Sequence, residues 1–402
     1  MISGVSSTVD ETYKESLGKL VQIIFDYFGD FEMEFRFDDV NVAFQDLTAF
    51  VEANRNDPGI IVANDSRNGP VLKFVEPVTI TFTCPWRRVL FNSKRDANPF
   101  FHLYEAMWML AGRNDVKSLE HFASKIGQYS DDGRTFHGAY GYRWRSWFGE
   151  DQLLVIAGEL TKNPTSRRCV LQMWDGMNES YPEASSRPRD YPMDSDLSVA
   201  IGGGKDVPCN TECMFQIREV TGTANFDGSP ARPQKYLDMT VINRSNDLVW
   251  GLLGANVVHF SYLLEYMANA IGVEMGNQIH FTNNLHIYTE NNSGFKPKEW
   301  TSVPYNGLWY DYSKTRPMVN AGLTSLRGVT STPERLSHQL PYMSSFLSET
   351  IDPAIIAFNY HKARDYPLAL DIANDISSPD WRKACTEWLQ RRFNSWRRNN
   401  EE

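Results

Sequence analysis

A chain of 402 residues that is 42% hydrophobic and 13% aromatic holds enough apolar material for one large domain or two moderate ones. Its formal net charge of -10 disfavours broad capture of nucleic acid, which needs clustered Lys and Arg, but allows a small anion held by arginines gathered locally. The opening "MISGVSSTVDETYKESL" has neither a basic flank nor an apolar core, and no run of about 18 apolar residues follows, so a cytoplasmic protein without membrane spans or secretory signal is expected.

Residues 9–29, "VDETYKESLGKLVQIIFDYFG", space apolar side chains at helical intervals and end at Gly29, which predicts an amphipathic helix in an N-terminal extension. In "NDSRNGPVLKFVEPVTITFTCPW" a Gly-Pro turn precedes β-branched alternation, the pattern of a strand or hairpin. "NPFFHLYEAMWMLAG" predicts a helix with Gly112 near its end. "SRRCVLQMW" and "KYLDMTVINRS" read as buried strands, and "NVVHFSYLLEYMANAIG" as a strongly apolar helix. Beyond Tyr288 come Pro- and Gly-bearing segments, then helices at "DYPLALDIANDI" and "DWRKACTEWLQRRF"; the basic tail "WLQRRFNSWRRNN" reads as a helix end with a solvated face. No repeat or low-complexity tract interrupts the chain. The mixture predicts an α/β or α+β body over residues 61–295, with 1–60 and 296–402 as extensions, the second packing on the core.

Five cysteines (Cys84, Cys169, Cys209, Cys213 and Cys385) are odd in number and scattered, which favours reduced thiols over a disulfide framework. Two of them share "DVPCNTECMF", yet none of the eight histidines completes a zinc set around them, so no metal is expected and one cysteine is a candidate nucleophile. A thiolate needs a cation beside it. Arg67 in "DSRNGP", Arg167 and Arg168 in "NPTSRRC", and Arg244 in "NRSND" lie at strand ends or turns, where guanidinium forks with the Ser245 hydroxyl can bind phosphate; solvated surface is the alternative for each. Glu105 stands in an otherwise apolar helix, so it lies either at an edge in water or in a cleft where desolvation would suit it to general-base work. His286 and Tyr288 alternate in "NNLHIYTEN" and share a strand face, from which they could donate to a sugar hydroxyl or serve the structure alone.

Read jointly, "SRR" in a strand ending at Trp174, the "PC" dipeptide, "RSND", an Asn opening a helix and "HIY" follow in an order and spacing that resembles thymidylate synthases and their pyrimidine nucleotide hydroxymethylase relatives. The likeness covers roughly residues 64–291. It implies a bent mixed sheet with surrounding helices, and a homodimer packed sheet to sheet with shared sites. It also implies that Cys209 adds to C6 of the pyrimidine, that Arg244 touches both thiolate and phosphate, and that Arg67 and Ser245 bind phosphate. Arg167 and Arg168 would reach the phosphate of the other subunit. Glu105 would organise water and assist loss of the C5 proton, His286 and Tyr288 would hold the 3′-hydroxyl, and Tyr140 in "GAYGYRW" would lie near the nucleophile. Asp247 would bind the pterin of the co-substrate methylenetetrahydrofolate, and Cys213 becomes a bystander packed in the same strand.

The family's base-reading position falls on Asn256, whose amide offers a donor and an acceptor to uracil O4 and N3-H, where cytosine-using relatives carry a carboxylate. A one-residue insertion in "GLLGAN" makes Ala255 the alternative occupant, and Asn256 also fits a helix N-cap. Other departures concern the outcome. Ile126 and Tyr129 stand where thymidylate synthases carry a tryptophan pair over the folate, Asp206 replaces a leucine, Asn210 a histidine and Met214 a glutamine, and the chain ends "RRNNEE" without the apolar closing segment. A wetter pocket disfavours hydride transfer and favours water. The expectation is a deoxyuridylate (dUMP) hydroxymethylase of the kind used by phages that build 5-hydroxymethyluracil DNA, acting in the host cytoplasm, with Asp206, Glu105 or Asn210 orienting the water. The alternatives are a divergent thymidylate synthase, a dCMP hydroxymethylase, a ribonucleotide-using enzyme, and a non-catalytic nucleotide-binding scaffold. Retention of Cys209, Glu105 and Arg244 together speaks against the scaffold.

Overall fold

Alternation of apolar and polar residues with a period of two dominates the middle of the chain, and the strands follow from it. The computed structural model describes residues 33–176, 195–222, 233–290, 296–301 and 346–400, so the helix expected over 9–29 lies outside the described residues. The described strands are β1 (Met33–Phe37), β2 (Ile61–Ser66), β3 (Gly69–Phe74), β4 (Val78–Phe82), β5 (Val170–Gln172), β6 (Asn210–Val220), β7 (Gln234–Asn243), β8 (Asn246–Asp247), β9 (Glu274–Thr282) and β10 (Leu285–Tyr288). Six of them form a mixed sheet in the order β1-β4-β9-β7-β6-β5, and four form a second sheet in the order β2-β3-β10-β8. In the larger sheet β7 runs parallel to β9 and antiparallel to β6, and β4 is antiparallel to β9. "KYLDMTVINRS" is accordingly a central strand, with Leu237, Met239 and Val241 fully buried on one face. "SRRCVLQMW" yields only the three-residue β5, because it is an edge: Leu171 is buried and Val170 is 41% exposed.

The helix Val257–Ile271 packs on β7 and β9 of the larger sheet, and the helix Pro99–Leu110 packs on that helix in turn. The described helices used below are α1 (Val40–Asn54), α2 (Pro99–Leu110), α3 (Gln152–Lys162), α4 (Val257–Ile271), α5 (Asp352–Lys362), α6 (Tyr366–Asn374) and α7 (Pro379–Asn400). Helix α2 begins where Asn98 accepts from the Phe101 N–H and Pro99 presets the first turn, as an N-cap followed by proline should. Helix α4 is buried from Val257 to Ala268, most of it apolar, with the Glu265 carboxylate paired to Arg88, and it ends on Gly272, whose φ of 82° suits the left-handed cap. The stretch Leu248–Ile271 is long and apolar enough for a membrane span, but 83% of it is buried inside the protein, which accounts for its hydrophobicity.

Phe35–Glu402 form one compact unit. Before residue 60 the described chain supplies a strand as well as a helix, and α1 packs Phe44 against Trp300 and Phe50 against Phe74. The late helices dock through aromatic contacts, with Phe100 meeting Phe358 and Trp388 at ring separations of 5.3 and 5.6 Å. Trp381 Nε1 donates to the Tyr262 hydroxyl at 2.7 Å, fastening α7 to α4.

Candidate active site

Cys209 lies just before β6, where Thr211 is the extra residue of a β-bulge against β7, a device that re-aims side chains at a sheet end. Arg244, just past β7, is fixed on the loop that carries the cysteine. Its backbone N–H donates to Cys209 O (3.0 Å), Nε to Pro208 O (2.9 Å) and Nη2 to Val207 O (3.2 Å), while Nη2 stands 3.8 Å from Cys209 Sγ. Burial pushes the Cys209 thiol up; Arg244 and Arg67 pull against that rise and Asp206 adds to it. Cys213 is wholly buried in β6 and pushed well up by burial, an inert packing residue as expected.

The wall beneath the nucleophile comes from residues 137–147. Asp206 Oδ2 accepts from the Gly138 N–H at 2.8 Å, and burial pushes its carboxyl up. The Tyr140 phenol, itself pushed well up by burial, accepts from the Cys209 backbone N–H. A side chain at Gly141 would run into the Met109 backbone, so glycine is what lets this turn sit on the end of α2. Below lies a buried hub that the sequence reading missed. Arg143 Nη1 and Nη2 pair with Asp196 Oδ2 and Oδ1 at 2.8 and 2.9 Å, His137 Nε2 lies 2.7 Å from Oδ1, and the Asp175 N–H reaches Oδ2 at 2.7 Å. The Asp196 carboxyl is pushed up by burial, but the hydrogen bonds from His137 and Arg143 outweigh this and hold it low.

Glu105, on α2, is in a cleft rather than in water: 12% of its side chain is exposed, and Oε2 lies 3.0 Å from Nε2 of His259 on α4. Asn256 is not an N-cap. The residues Leu248–Asn256 wind as a π-helix that runs straight into α4, and its wide turn absorbs the one-residue insertion. Asn256 Nδ2 thereby reaches Asn246 Oδ1 at 3.0 Å on β8, beside Asp247, while Ala255 makes no such contact. Asp247 Oδ1 accepts from the Val249 and Trp250 N–H groups; its buried Oδ2 has no partner among the described residues, which fits a site for a pterin N–H donor. His286 lies beside Asp247 in the β10–β8 pairing, and its ring meets Tyr288 edge-on at 5.4 Å. Ser245 follows Arg244, partly exposed.

Arg67, in the β2–β3 turn, donates both terminal nitrogens to loop carbonyls, Gly204 O and Lys205 O, at 2.7 Å each. A phosphate bound there would compete for that fork. Arg167 and Arg168 are exposed beside edge strand β5, and no hydrogen bond or ion pair given for the described residues links them to Cys209 of their own chain. Ile126 and Tyr129 form a single 3₁₀ turn, with Tyr129 46% exposed. Asn210, Asn243 and Thr282 stand side by side across β6, β7 and β9, each 1% exposed or less. Both ends of the Asn210 amide, Asn243 Oδ1 and Thr282 Oγ1 lack partners among the described residues, and such a row calls for water or ligand groups. Among the described residues no group of three or more His, Cys, Asp or Glu side chains could hold a metal ion.

A thiol beside a guanidinium, a largely buried carboxylate on α2 and a row of unpartnered polar atoms suit covalent addition to a polar ring followed by proton transfer. The family model "Thymidylate synthase" matches residues 89–298. The chain is 40% identical over 347 residues to a protein of Pseudomonas phage M6 named deoxyuridylate hydroxymethyltransferase, covering 82% of this chain and 88% of that one. Proteins of the same name from Bacillus phage SP01 (35% identical; 55% of this chain, 52% of that one) and Delftia phage PhiW-14 (30%; 56% and 55%) also match. With Cys209 and Arg244 inside the matched span, the chain belongs to the thymidylate synthase family.

Proposed function

We propose that this protein hydroxymethylates dUMP at C5, using methylenetetrahydrofolate as co-substrate and water as the source of the hydroxyl. The observation that carries the reading is the Cys209–Arg244 contact at 3.8 Å, set beside a polar Asn210 row instead of a sealed apolar pocket. The names of the phage relatives support the same reading.

Arg244 stabilises the Cys209 thiolate, which adds to C6 and makes C5 nucleophilic; Arg67 and Ser245 join Arg244 on the phosphate. Asn256, its Nδ2 anchored on Asn246, presents the rest of its amide to uracil. His286 and Tyr288 hold the sugar hydroxyl. The folate supplies the one-carbon unit when bound, with Asp247 Oδ2 receiving its pterin. Glu105 takes the C5 proton and hands it to the departing folate nitrogen, which leaves an exocyclic methylene on the pyrimidine and Glu105 again a free carboxylate. Tyr129, half exposed, does not seal that carbon from solvent, so water adds to it, oriented by Glu105, Asn210 and Asp206.

The acting species in this proposal is a homodimer. Val170 pairs with Met214 on the outer sheet face, Ile242 pairs with Phe281, and Val170, Met214 and Phe281 are 41%, 39% and 37% exposed. Such an apolar face supports a sheet-to-sheet contact that would bring Arg167 and Arg168 to the neighbour's phosphate. Met214→Asp should give monomers by light scattering together with loss of activity.

Incubation with dUMP and methylenetetrahydrofolate should yield 5-hydroxymethyl-dUMP and tetrahydrofolate. Dihydrofolate with dTMP would instead identify a divergent thymidylate synthase. Turnover of dCMP would overturn the Asn256 assignment, and absence of a 5-fluoro-dUMP adduct on Cys209 would favour a scaffold.

A further inference from the structure

His259 stands out because nothing in the covalent chemistry above uses it. It lies one turn into α4, is 2% exposed, and sits in a helix segment that is otherwise apolar from Val257 to Phe260. A buried imidazole is rarely left without partners. Here neither ring nitrogen makes a hydrogen bond to a described residue, although Nε2 lies 3.0 Å from Glu105 Oε2. Glu105 Oε2 is likewise buried and without a hydrogen bond among them, so two unmet groups face each other and a small rotation of either would join them. Among the described residues, His259 also acts on His102, one turn before Glu105 on α2, as does Arg95. Burial, with Arg95 and His259 adding to it, drives His102 down to about 3, so His102 stays neutral and does not compete for the proton.

We infer that His259 is the positioning partner of Glu105 in the hydration step, holding Oε2 so that the other carboxylate oxygen faces the incoming water. This inference rests on the hydroxymethylation reading. In the step, an O–H bond of water breaks and its proton passes to Glu105 as the oxygen bonds to the exocyclic methylene carbon. The methylene π electrons move onto the C4 carbonyl oxygen as an enolate. Collapse of the enolate forms the C5–C6 double bond and breaks the C6–S bond, so the electron pair leaves on the Cys209 sulfur beside Arg244. No oxidant or reductant is needed. A carboxylate that His259 did not hold could turn its lone pair away, and slower water addition would let other nucleophiles reach the methylene first.

The test is the fate of that methylene with 2-mercaptoethanol present, which captures it as a thioether. Wild-type protein should give mainly 5-hydroxymethyl-dUMP. His259→Ala should raise the thioether-to-hydroxymethyl ratio about tenfold or more, with kcat for the hydroxymethyl product falling and the KM for dUMP and the 5-fluoro-dUMP adduct on Cys209 retained. His259→Gln, which can still donate to Oε2, should restore most of the wild-type ratio. An unchanged ratio in His259→Ala, or loss of the adduct in both variants, would overturn the inference. Absence of hydroxymethyl product from the wild type would sink the functional reading instead, so the two failures are distinguishable.

Discussion

Two arginines separated by a few residues of wall illustrate two uses of the same side chain. Arg143 is 0% exposed: Nε and Nη2 donate to His137 O, Nη1 to Met173 O, both terminal nitrogens to Asp196, and its plane lies 3.8 Å over Trp147. Arg244 is exposed and spends two bonds on loop carbonyls, leaving its guanidinium at the thiol. The saturated arginine fixes backbone and the less saturated one faces the thiol. The same contrast separates Asp196, both of whose oxygens are engaged, from the Asn210 row, where buried polar atoms are unmet. A site is readable as a site where the polar accounting is incomplete on purpose.

The sharpest way to break this contrast is Cys209→Ser, expected to lower kcat/KM about 10⁴-fold or more by steady-state assay, with thermal stability unchanged. Next in size, Asp196→Ala leaves Arg143 buried without its partner and should cost about 3–5 kcal/mol in urea unfolding. Because the folded Asp196 carboxyl is held low, its contribution is present above the ordinary carboxylate range and is lost as pH falls through the lower folded value; Asp196→Asn should flatten that acid limb. Asn210→Ala should do the reverse of Asp196→Ala: activity falls roughly 10–100-fold while stability holds or rises, since an unsatisfied buried amide is removed. The smallest effect is expected for Asp206→Asn. Asp206 raises the Cys209 thiol, so the variant's iodoacetamide alkylation midpoint should move to lower pH; and because burial raises Asp206 itself, the variant should gain thermal stability at neutral pH but not in acid.

Much of the site was legible in sequence because its members sit in local strings. "PC" and "RSND" end adjacent strands, and β6–β7 pairing alone brings Cys209 to Arg244. The helices α2 and α4 were equally plain, since apolar periodicity and a terminal glycine are local signals. The Arg143–Asp196 hub was not legible, because 53 residues separate its members and neither lies in a recognisable string. His259 left one faint signal, a lone imidazole in an apolar helix, but its partner sits 154 positions away on α2 and only the packing of α2 on α4 joins them. The N-cap expectation for Asn256 failed because capping residues and π-turn residues look alike until the preceding backbone is known.

That π-turn makes α4 a clock hand with an adjustable dial. Helical residues advance by roughly 100° each, so deleting a single residue between Leu248 and Ala255 to restore ordinary winding would leave Asn256 and Tyr262 in register on α4 and swing Leu248 and the β8 residues before it around the axis. The Asn256–Asn246 contact therefore depends on the extra residue of the turn, whereas the Trp381–Tyr262 clamp further along the same rod does not.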